Sequence, residues 1–247
     1  LAVMSQRITA AAEVRRLFNV TEASRDRFNN WHSTRPRVAA HALGHAAVVV
    51  NALTSADTGA VFRGDSLGAA LSARGQPVLE IDGWRPEFAL SHVFHHAVEE
   101  LGRLPGWAEF RRFCQGDDRA VVMLWGPAAE LVGRVVDRGV EGSVARAAMR
   151  RRIGREFAEF VRSLHVAAAL RERGLEVLTH PLAEAVFGVD AWAGRVVFVQ
   201  RDGPRRAEEL LFQAMPPFFF ERVPGLERGL PSDRDLDTVV RRLTPAR

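Results

Sequence analysis

Two pairs of histidines stand at helical spacing and could share a metal ion. His41 and His45 are four residues apart, as are His92 and His96, so each pair lies on one face of a helix. Two such pairs facing each other would present four imidazole nitrogens, a set suited to Zn²⁺ or another transition metal. The alternative is that these histidines pack at a helix–helix contact without a metal.

A second set of polar residues lies in the C-terminal half, where a helix is followed by glycine, a strand, a loop and another strand. Glu159 belongs to the helix, Asp190 lies at the loop, and Gln200 ends the last strand. With this order, the stretch 155–202 resembles the core of the PD-(D/E)XK nuclease superfamily. The resemblance implies that Glu159, Asp190 and Gln200 form the catalytic set and bind a divalent metal such as Mg²⁺ at a phosphate.

The nuclease pattern lacks its lysine. The position two residues after Gln200 is Asp202, and the chain contains no lysine at all. Arginine cannot replace it, because a guanidinium does not transfer protons near neutral pH. The resemblance therefore implies a degenerate nuclease-like part that is weakly active or inactive. The alternative is an ordinary hairpin in which Asp190 caps or pairs locally.

A basic cluster predicts contact with nucleic acid. The formal net charge is +4, and the excess of positive charge falls between residues 101 and 172. Its densest part is one predicted helix that carries Arg146, Arg150, Arg151 and Arg155. Because guanidinium groups match phosphate oxygens, we expect a nucleic-acid-associated protein whose arginine helix faces phosphates. A solvated helix face with local acidic partners is the alternative.

A serine motif offers a different chemistry. Residues 64–68 read Gly-Asp-Ser-Leu-Gly, the G-x-S-x-G spacing in which a strained turn exposes a serine nucleophile. The motif resembles the first block of the GDSL esterases, which implies a serine hydrolase at Ser66. A helix cap in a turn is the alternative. Ser66 and the four-histidine site together make a small-molecule enzyme the second functional hypothesis.

An aromatic run supports a third functional hypothesis. Phe218, Phe219 and Phe220 follow two prolines and must be buried in the fold or in a partner. If they lie on the surface, they form a docking patch for a protein or peptide, and the chain is a non-catalytic binding protein.

The elements that position these residues change in character along the chain. Helical periodicity dominates the first two thirds, whereas two strands, Val186–Trp192 and Arg195–Gln200, are predicted beyond Gly174, and Val78–Ile81 is a further predicted strand. We predict an α+β fold, in which a mostly helical N-terminal part packs on a small C-terminal α/β sheet part. The predicted parts are 1–142 (helical), 143–225 (α/β) and 226–247 (tail).

Composition excludes several classes of chemistry. The chain has neither lysine nor tyrosine, which removes Schiff-base lysine, P-loop lysine and tyrosine acid catalysis. The single cysteine, Cys114, excludes an internal disulfide and a Cys-rich zinc site, and we expect it to be buried. No apolar run is long enough to span a bilayer, so we expect a soluble, cytoplasmic protein with no membrane partner.

Overall fold

Helices make up most of the described chain, and a small sheet lies near its C-terminal end. The structure, a computed structural model, describes residues 10–64, 68, 76–199, 219–223 and 229–244. The predicted α+β class with a mostly helical N-terminal part is confirmed. In chain order the first elements are α1 (Ala10–Phe18), α2 (Glu22–Thr34), α3 (Pro36–Gly44), a 3₁₀ turn (Val50–Ala52), α4 (Ser55–Phe62), α5 (Leu79–Asp82), α6 (Leu90–Leu101), α7 (Trp107–Gly116) and α8 (Asp118–Ala120). They are followed by a π-helical segment (Val121–Trp125), α9 (Gly126–Asp137), α10 (Gly142–Glu172), a second π-helical segment (Ala183–Phe187), β1 (Ala191–Ala193), β2 (Val196–Val199), β3 (Phe219–Arg222) and α11 (Asp233–Leu243).

Helix α6 lies inside the larger hydrophobic core. Every residue from Leu90 to Val98 is buried, so this helix contacts other elements all round. Phe94 packs edge-on against Phe110 and Phe157, with ring centroids 5.1 and 5.4 Å apart. Three histidines of α6 are therefore held among close-packed apolar groups, and this limits how far their backbone can move.

Helix α10 is the longest element and connects the two hydrophobic cores. It packs against α4, α6 and α9, and Phe157 and Leu164 belong to the larger core. Val166 and Leu170 belong to a smaller core shared with the sheet and α11. The larger core contains side chains from both sides of the predicted boundary between residues 142 and 143. The division of the chain at that boundary stays a prediction. None of the described helices, α10 included, combines the length and the apolar character needed to cross a membrane.

The sheet is small and mixed. β1 and β2 form an antiparallel hairpin that turns at Gly194, whose φ is 55°, and β3 lies parallel to β2. The predicted hairpin is confirmed. Its first strand covers Ala191–Ala193 and not Val186–Trp192 as predicted, because Ala183–Phe187 forms a π-helical segment. The strand predicted at Val78–Ile81 is wrong, since this stretch forms the single turn of α5. A short apolar run does not distinguish strand from buried helix, and Ile81 is buried in helical conformation.

Two glycines should respond to alanine with opposite signs. Gly102 ends α6 with a φ of 66°, and a Cβ there would meet no atom within 4 Å. Gly102→Ala should therefore lower the free energy of unfolding by about 1 kcal/mol through backbone strain alone. Gly133 is exposed inside α9, and a Cβ there would also meet no atom within 4 Å. Gly133→Ala should therefore raise the free energy of unfolding by about 0.5–1 kcal/mol. Urea denaturation measures both, and changes of the same sign would contradict the left-handed helix end.

Candidate functional site

A continuous group of imidazole rings lies in the larger core, contributed by the end of α3, by α6 and by the segment that follows α10. Ring centroids of neighbouring members are 5.4–5.9 Å apart. Two imidazoles that share a metal at about 2.1 Å have centroids roughly 5 Å apart, so this spacing is close to that of common ligands. The members of this histidine cluster are His41, His45, His92, His95, His96 and His180.

His41 is the ring that joins the two predicted pairs. Its centroid lies 5.8 Å from His45, 5.7 Å from His92 and 5.9 Å from His96. The packing of α3 against α6 thus brings the two pairs together around His41. Ligation of a metal by these four residues stays a prediction.

Several imidazole nitrogens of the cluster are buried without a hydrogen-bond partner. Eleven buried side-chain nitrogen or oxygen atoms of the described residues lack a partner, and five of them belong to the cluster. They are Nε2 of His41, Nε2 of His45, both ring nitrogens of His92 and Nδ1 of His95. The backbone of Pro181 approaches the ring of His92, and the backbone of His92 approaches the ring of His41, but neither approach has the geometry of a hydrogen bond. Leaving a buried polar group unpaired costs about 1–3 kcal/mol, and such atoms are rare in native proteins. Their concentration at one place makes this cluster the candidate functional site.

His180 differs from the other members, because both of its ring nitrogens are used. The backbone N–H of Leu182 donates to Nδ1 at 3.0 Å, so Nε2 carries the proton and donates to the carbonyl of His45 at 3.0 Å. Asn51 ties the same two segments together through the carbonyl and N–H of Thr179. His180 therefore holds the backbone at His45 in place and has no free lone pair for a metal.

His96 is oriented by a carboxylate. Its Nε2 lies 2.9 Å from Oδ1 of Asp117, which fixes the Nε2–H tautomer and leaves the lone pair on Nδ1. Asp117 also accepts the N–H of Ala120 at 2.8 Å as the N-cap of α8. Partial burial favours a higher pKa for Asp117, but these two hydrogen bonds outweigh it and lower its pKa. A carboxylate behind an imidazole is the arrangement seen behind metal-ligating histidines.

The backbone segment after His45 is strained and is held by Glu99. Ala47 has a φ of 50°, a left-handed conformation that costs about 1–3 kcal/mol for a residue other than glycine. The carboxylate of Glu99 accepts the N–H groups of Val48, Val49 and Val50 at 2.9–3.1 Å. Glu99 thus supplies the acceptors that this segment would otherwise lack, and the strain lies two residues from a ring of the cluster.

A cavity of about 640 Å³ opens beside the cluster. His41, His45 and His96 line it, so three of the four predicted ligands face a space large enough for a small molecule. Charged side chains of both signs and a few apolar groups complete the wall: Glu99, Glu100, Asp118, Arg119, Phe88, Val122 and Met123. The cavity therefore combines a mainly apolar surface with charged groups of both signs, and it lies beside His41 and His45, each of which has an unpaired ring nitrogen.

Burial keeps His41, His45, His92 and His95 neutral at physiological pH. Desolvation lowers the pKa of His41 and His92 to about 4 and that of His45 to about 3. Repulsion from neighbouring rings adds to this effect. The pKa of His95 lies well below its ordinary value for the same two reasons, burial first and repulsion second. Neutral imidazole is the form that binds metals, so the lone pairs of these rings are free for ligation near pH 7.

Metal binding would require the rings to turn. Within the ranges described above, no group of three or more His, Cys, Asp or Glu side chains is already arranged to hold a metal ion. The imidazole torsion about Cβ–Cγ is broad and changes at small cost. The cluster therefore offers the ligand types, the protonation state and the spacing, and ring rotation has to supply the final geometry.

The predicted arginine face divides into two groups. Arg151 donates to the carbonyl of Gln76 at 3.1 Å, and Arg155 pairs with Asp82 at 3.3 Å. Arg146 and Arg150 are exposed and line a different pocket. Two of the four predicted nucleic-acid-binding arginines are thus already bonded within the chain, and their contact with nucleic acid stays a prediction.

The described residues leave the nuclease-like set incomplete. Glu159 forms an ion pair with Arg162, one turn along α10. Asp190 directly precedes β1, and its carbonyl accepts the hydroxyl of Thr179 at 2.9 Å. Gln200 lies outside the described residues, so the meeting of the three side chains stays a prediction.

Two other predicted groups lie wholly or partly outside the described residues. Ser66 is not among them, and nothing is added to the serine-hydrolase hypothesis. Phe218 is also outside, whereas the backbone of Phe219 and Phe220 belongs to β3 and pairs with Val196 and Val197. The partner-binding hypothesis stays a prediction. Cys114 is buried as expected, and burial raises its pKa to about 12.

The sequence analysis did not assign three residues of this region. These are His95 and His180, as members of the cluster, and Glu99, as the acceptor that holds the backbone after His45. His95 lies three residues after His92 on α6, a helical spacing that could have indicated it, whereas His180 has no spacing signal and meets the cluster through tertiary packing. No protein family, characterised protein or solved structure matches this chain with significant similarity. The candidate site therefore rests on the geometry of the chain itself.

Proposed function

We propose that this chain is a metal-dependent enzyme of small-molecule chemistry whose metal is a divalent transition ion held by His41, His45, His92 and His96. The observation that carries the proposal is the group of buried, unpaired and neutral imidazole nitrogens beside an open cavity. These four residues would hold the ion: His41, His45 and His96 line the cavity, and the ring of His92 packs against that of His41.

The cavity wall suggests how a substrate would be bound. A divalent ion at the cluster supplies Lewis-acid polarisation of a carbonyl or phosphoryl group. Arg119 lines the same cavity and lies near enough to His41 to oppose its protonation, so it can bind an acidic group of the substrate. Asp117 holds the ring of His96 in the tautomer whose lone pair is on Nδ1, and Oε1 of Glu100 lies 3.8 Å from that nitrogen. The carboxylates of Glu99, Glu100 and Asp118 line the same cavity, so a small polar molecule with one acidic group for Arg119 and hydrogen-bond donors for these carboxylates fits the features best.

Metal titration tests the proposal directly. The purified protein, after treatment with a chelator and dialysis, should bind about one equivalent of Zn²⁺ in calorimetry. With Co²⁺ it should give visible absorption bands that are typical of nitrogen ligands. His41→Ala and His45→Ala should abolish both signals. His32→Ala provides the matched control, because His32 is exposed on α2 and its ring stacks on Phe28, which is not part of the cluster.

The Co²⁺ spectrum keeps the test decisive even where a histidine variant folds poorly. A wild-type protein that is folded by circular dichroism and gives neither heat nor absorption bands would contradict the metal site. Equal binding by wild type and by His41→Ala would place the metal elsewhere and would also contradict it.

Asp117 gives a second, independent prediction. Asp117→Asn keeps an N-cap side chain for α8, since asparagine caps as well as aspartate, but it removes the carboxylate behind His96. We expect the affinity for Zn²⁺ to fall about 10–100-fold, as is usual for partners of ligating histidines. Calorimetry measures the affinity and urea denaturation shows that the cap survives. An unchanged affinity would remove His96 from the ligand set.

Nucleic-acid association remains the second candidate function. Arg146 and Arg150 are exposed on α10 and make no ion pair with a described carboxylate. A mobility shift on random duplex DNA that disappears with rising salt would support it. No retardation at low salt would exclude it.

A further inference from the structure

A second pocket, of about 260 Å³, lies on the opposite side of the π-helical segment Val121–Trp125 from the cavity beside the histidine cluster. The segment contributes Val122 and Met123 to that cavity and Leu124 and Trp125 to the second pocket. Helices α7, α9 and α10 form the other walls. The two cavities share a wall but no lining residue, so the second pocket is a separate site.

The inner surface of the pocket is apolar and partly aromatic. Trp107, Phe110, Leu124 and Met149 are buried and line it. Trp125 stands at its edge with 39% of its surface exposed. Cavities of this kind, apolar with a few placed polar groups, are typical of sites for small organic molecules, and the volume is near the lower end of the usual range of about 300–1,000 Å³.

The charged groups of the pocket are all arginines. Arg111, Arg146 and Arg150 line it, and no acidic side chain of the described residues does. None of the three forms an ion pair in the described part of the chain, whereas Arg103 and Arg138 each pair with a glutamate. Burial lowers the pKa of Arg111, and repulsion from Arg150 lowers it further. Guanidinium groups that repel each other without a carboxylate between them attract an anion.

We propose that this pocket binds a small organic anion in which an aryl or branched alkyl body carries one carboxylate. The body enters the space between Trp107, Phe110 and Met149, and the carboxylate stays at the rim between the arginines. An extended nucleic acid fits less well, because Arg151 and Arg155 of the same helix are bonded to Gln76 and Asp82 and do not continue the rim.

Calorimetry with three naphthalene derivatives tests the charge requirement. 2-Naphthoate should bind, the neutral 2-naphthylmethanol should bind about tenfold or more weakly, and the cationic 2-naphthylmethylamine should not bind. Equal binding of the acid and the alcohol, or no binding of the acid at millimolar concentration, would overturn the proposal.

A pair of arginine variants locates the site. Arg150→Gln should weaken 2-naphthoate about tenfold and should leave the melting temperature unchanged or raise it, since it removes a repulsion. Arg138→Gln is the control, because Arg138 is exposed and already paired with Glu80; it should leave the affinity unchanged. Equal affinity of Arg150→Gln and wild type would overturn the proposal. So would competition by a 20-nucleotide duplex at 150 mM salt, which would assign the rim to nucleic acid.

Discussion

Replacing Glu99 by alanine should lower the free energy of unfolding by about 3 kcal/mol and should weaken metal binding at the same time. Its carboxylate accepts three backbone N–H groups, from Val48, Val49 and Val50. Hydrogen bonds to a charged group contribute about 1.5–3 kcal/mol each, and the partly exposed N–H of Val48 can turn to water after the change. The segment that loses these bonds contains the strained Ala47 and begins at His45, so the ring of His45 loses its fixed position.

Glu100 is the matched control for Glu99. It is the next residue of α6, it is exposed, and no backbone N–H donates to it among the described residues. Its Oε1 lies 3.8 Å from Nδ1 of His96, so Glu100 is a control for stability and not for zinc affinity. Glu100→Ala should change the free energy of unfolding by less than about 0.5 kcal/mol. Urea denaturation of both variants gives the comparison, and zinc calorimetry gives the second effect. Equal stability of Glu99→Ala and Glu100→Ala would show that the three N–H groups find other acceptors.

The sequence predicts the part of the site that depends on local geometry. Residues four apart on a helix share a face whatever the rest of the fold does, so His41 with His45 and His92 with His96 could be grouped in advance. The same periodicity gave the helical class of the chain. That the two pairs meet depends on the packing of α3 against α6, which periodicity leaves open.

What the sequence leaves open depends on contacts between distant segments. His180 reaches the carbonyl of His45 from 135 residues along the chain, and Glu99 caps a turn about 50 residues before it. Neither contact has a local signature. The wrong strand prediction at Val78–Ile81 has a related cause. The conformation of a four-residue apolar run depends on the elements that pack against it, and no strand of the described sheet pairs with this run.

Acidification should unfold the chelator-treated protein between about pH 6 and pH 4.5. The native pKa of His92 and His180 is about 4, and that of His95 lies well below its ordinary value, whereas the unfolded state titrates near 6.5. Between these values the unfolded state binds more protons, so this stabilisation is complete above pH 6.5 and is lost as the pH falls. Each buried neutral histidine contributes at most about 2 kcal/mol between pH 7 and pH 5. Three of them approach the total stability of an ordinary domain, about 5–15 kcal/mol.

The window from pH 6.5 to pH 5 separates histidines from carboxylates. The lowered pKa values of Asp117 and Glu172 affect stability only below their ordinary values, 3.8 and 4.5. His95→Phe keeps an aromatic ring against Phe160 and removes one titrating group. It should reduce the slope of unfolding free energy against pH by up to about 1 kcal/mol per pH unit in this window. His32→Ala, at an exposed position, should leave the slope unchanged. Urea denaturation at pH 7, 6 and 5 measures all three proteins, and a wild-type stability that is equal at pH 7 and pH 5 would mean that the buried rings are protonated or hydrated in the native state.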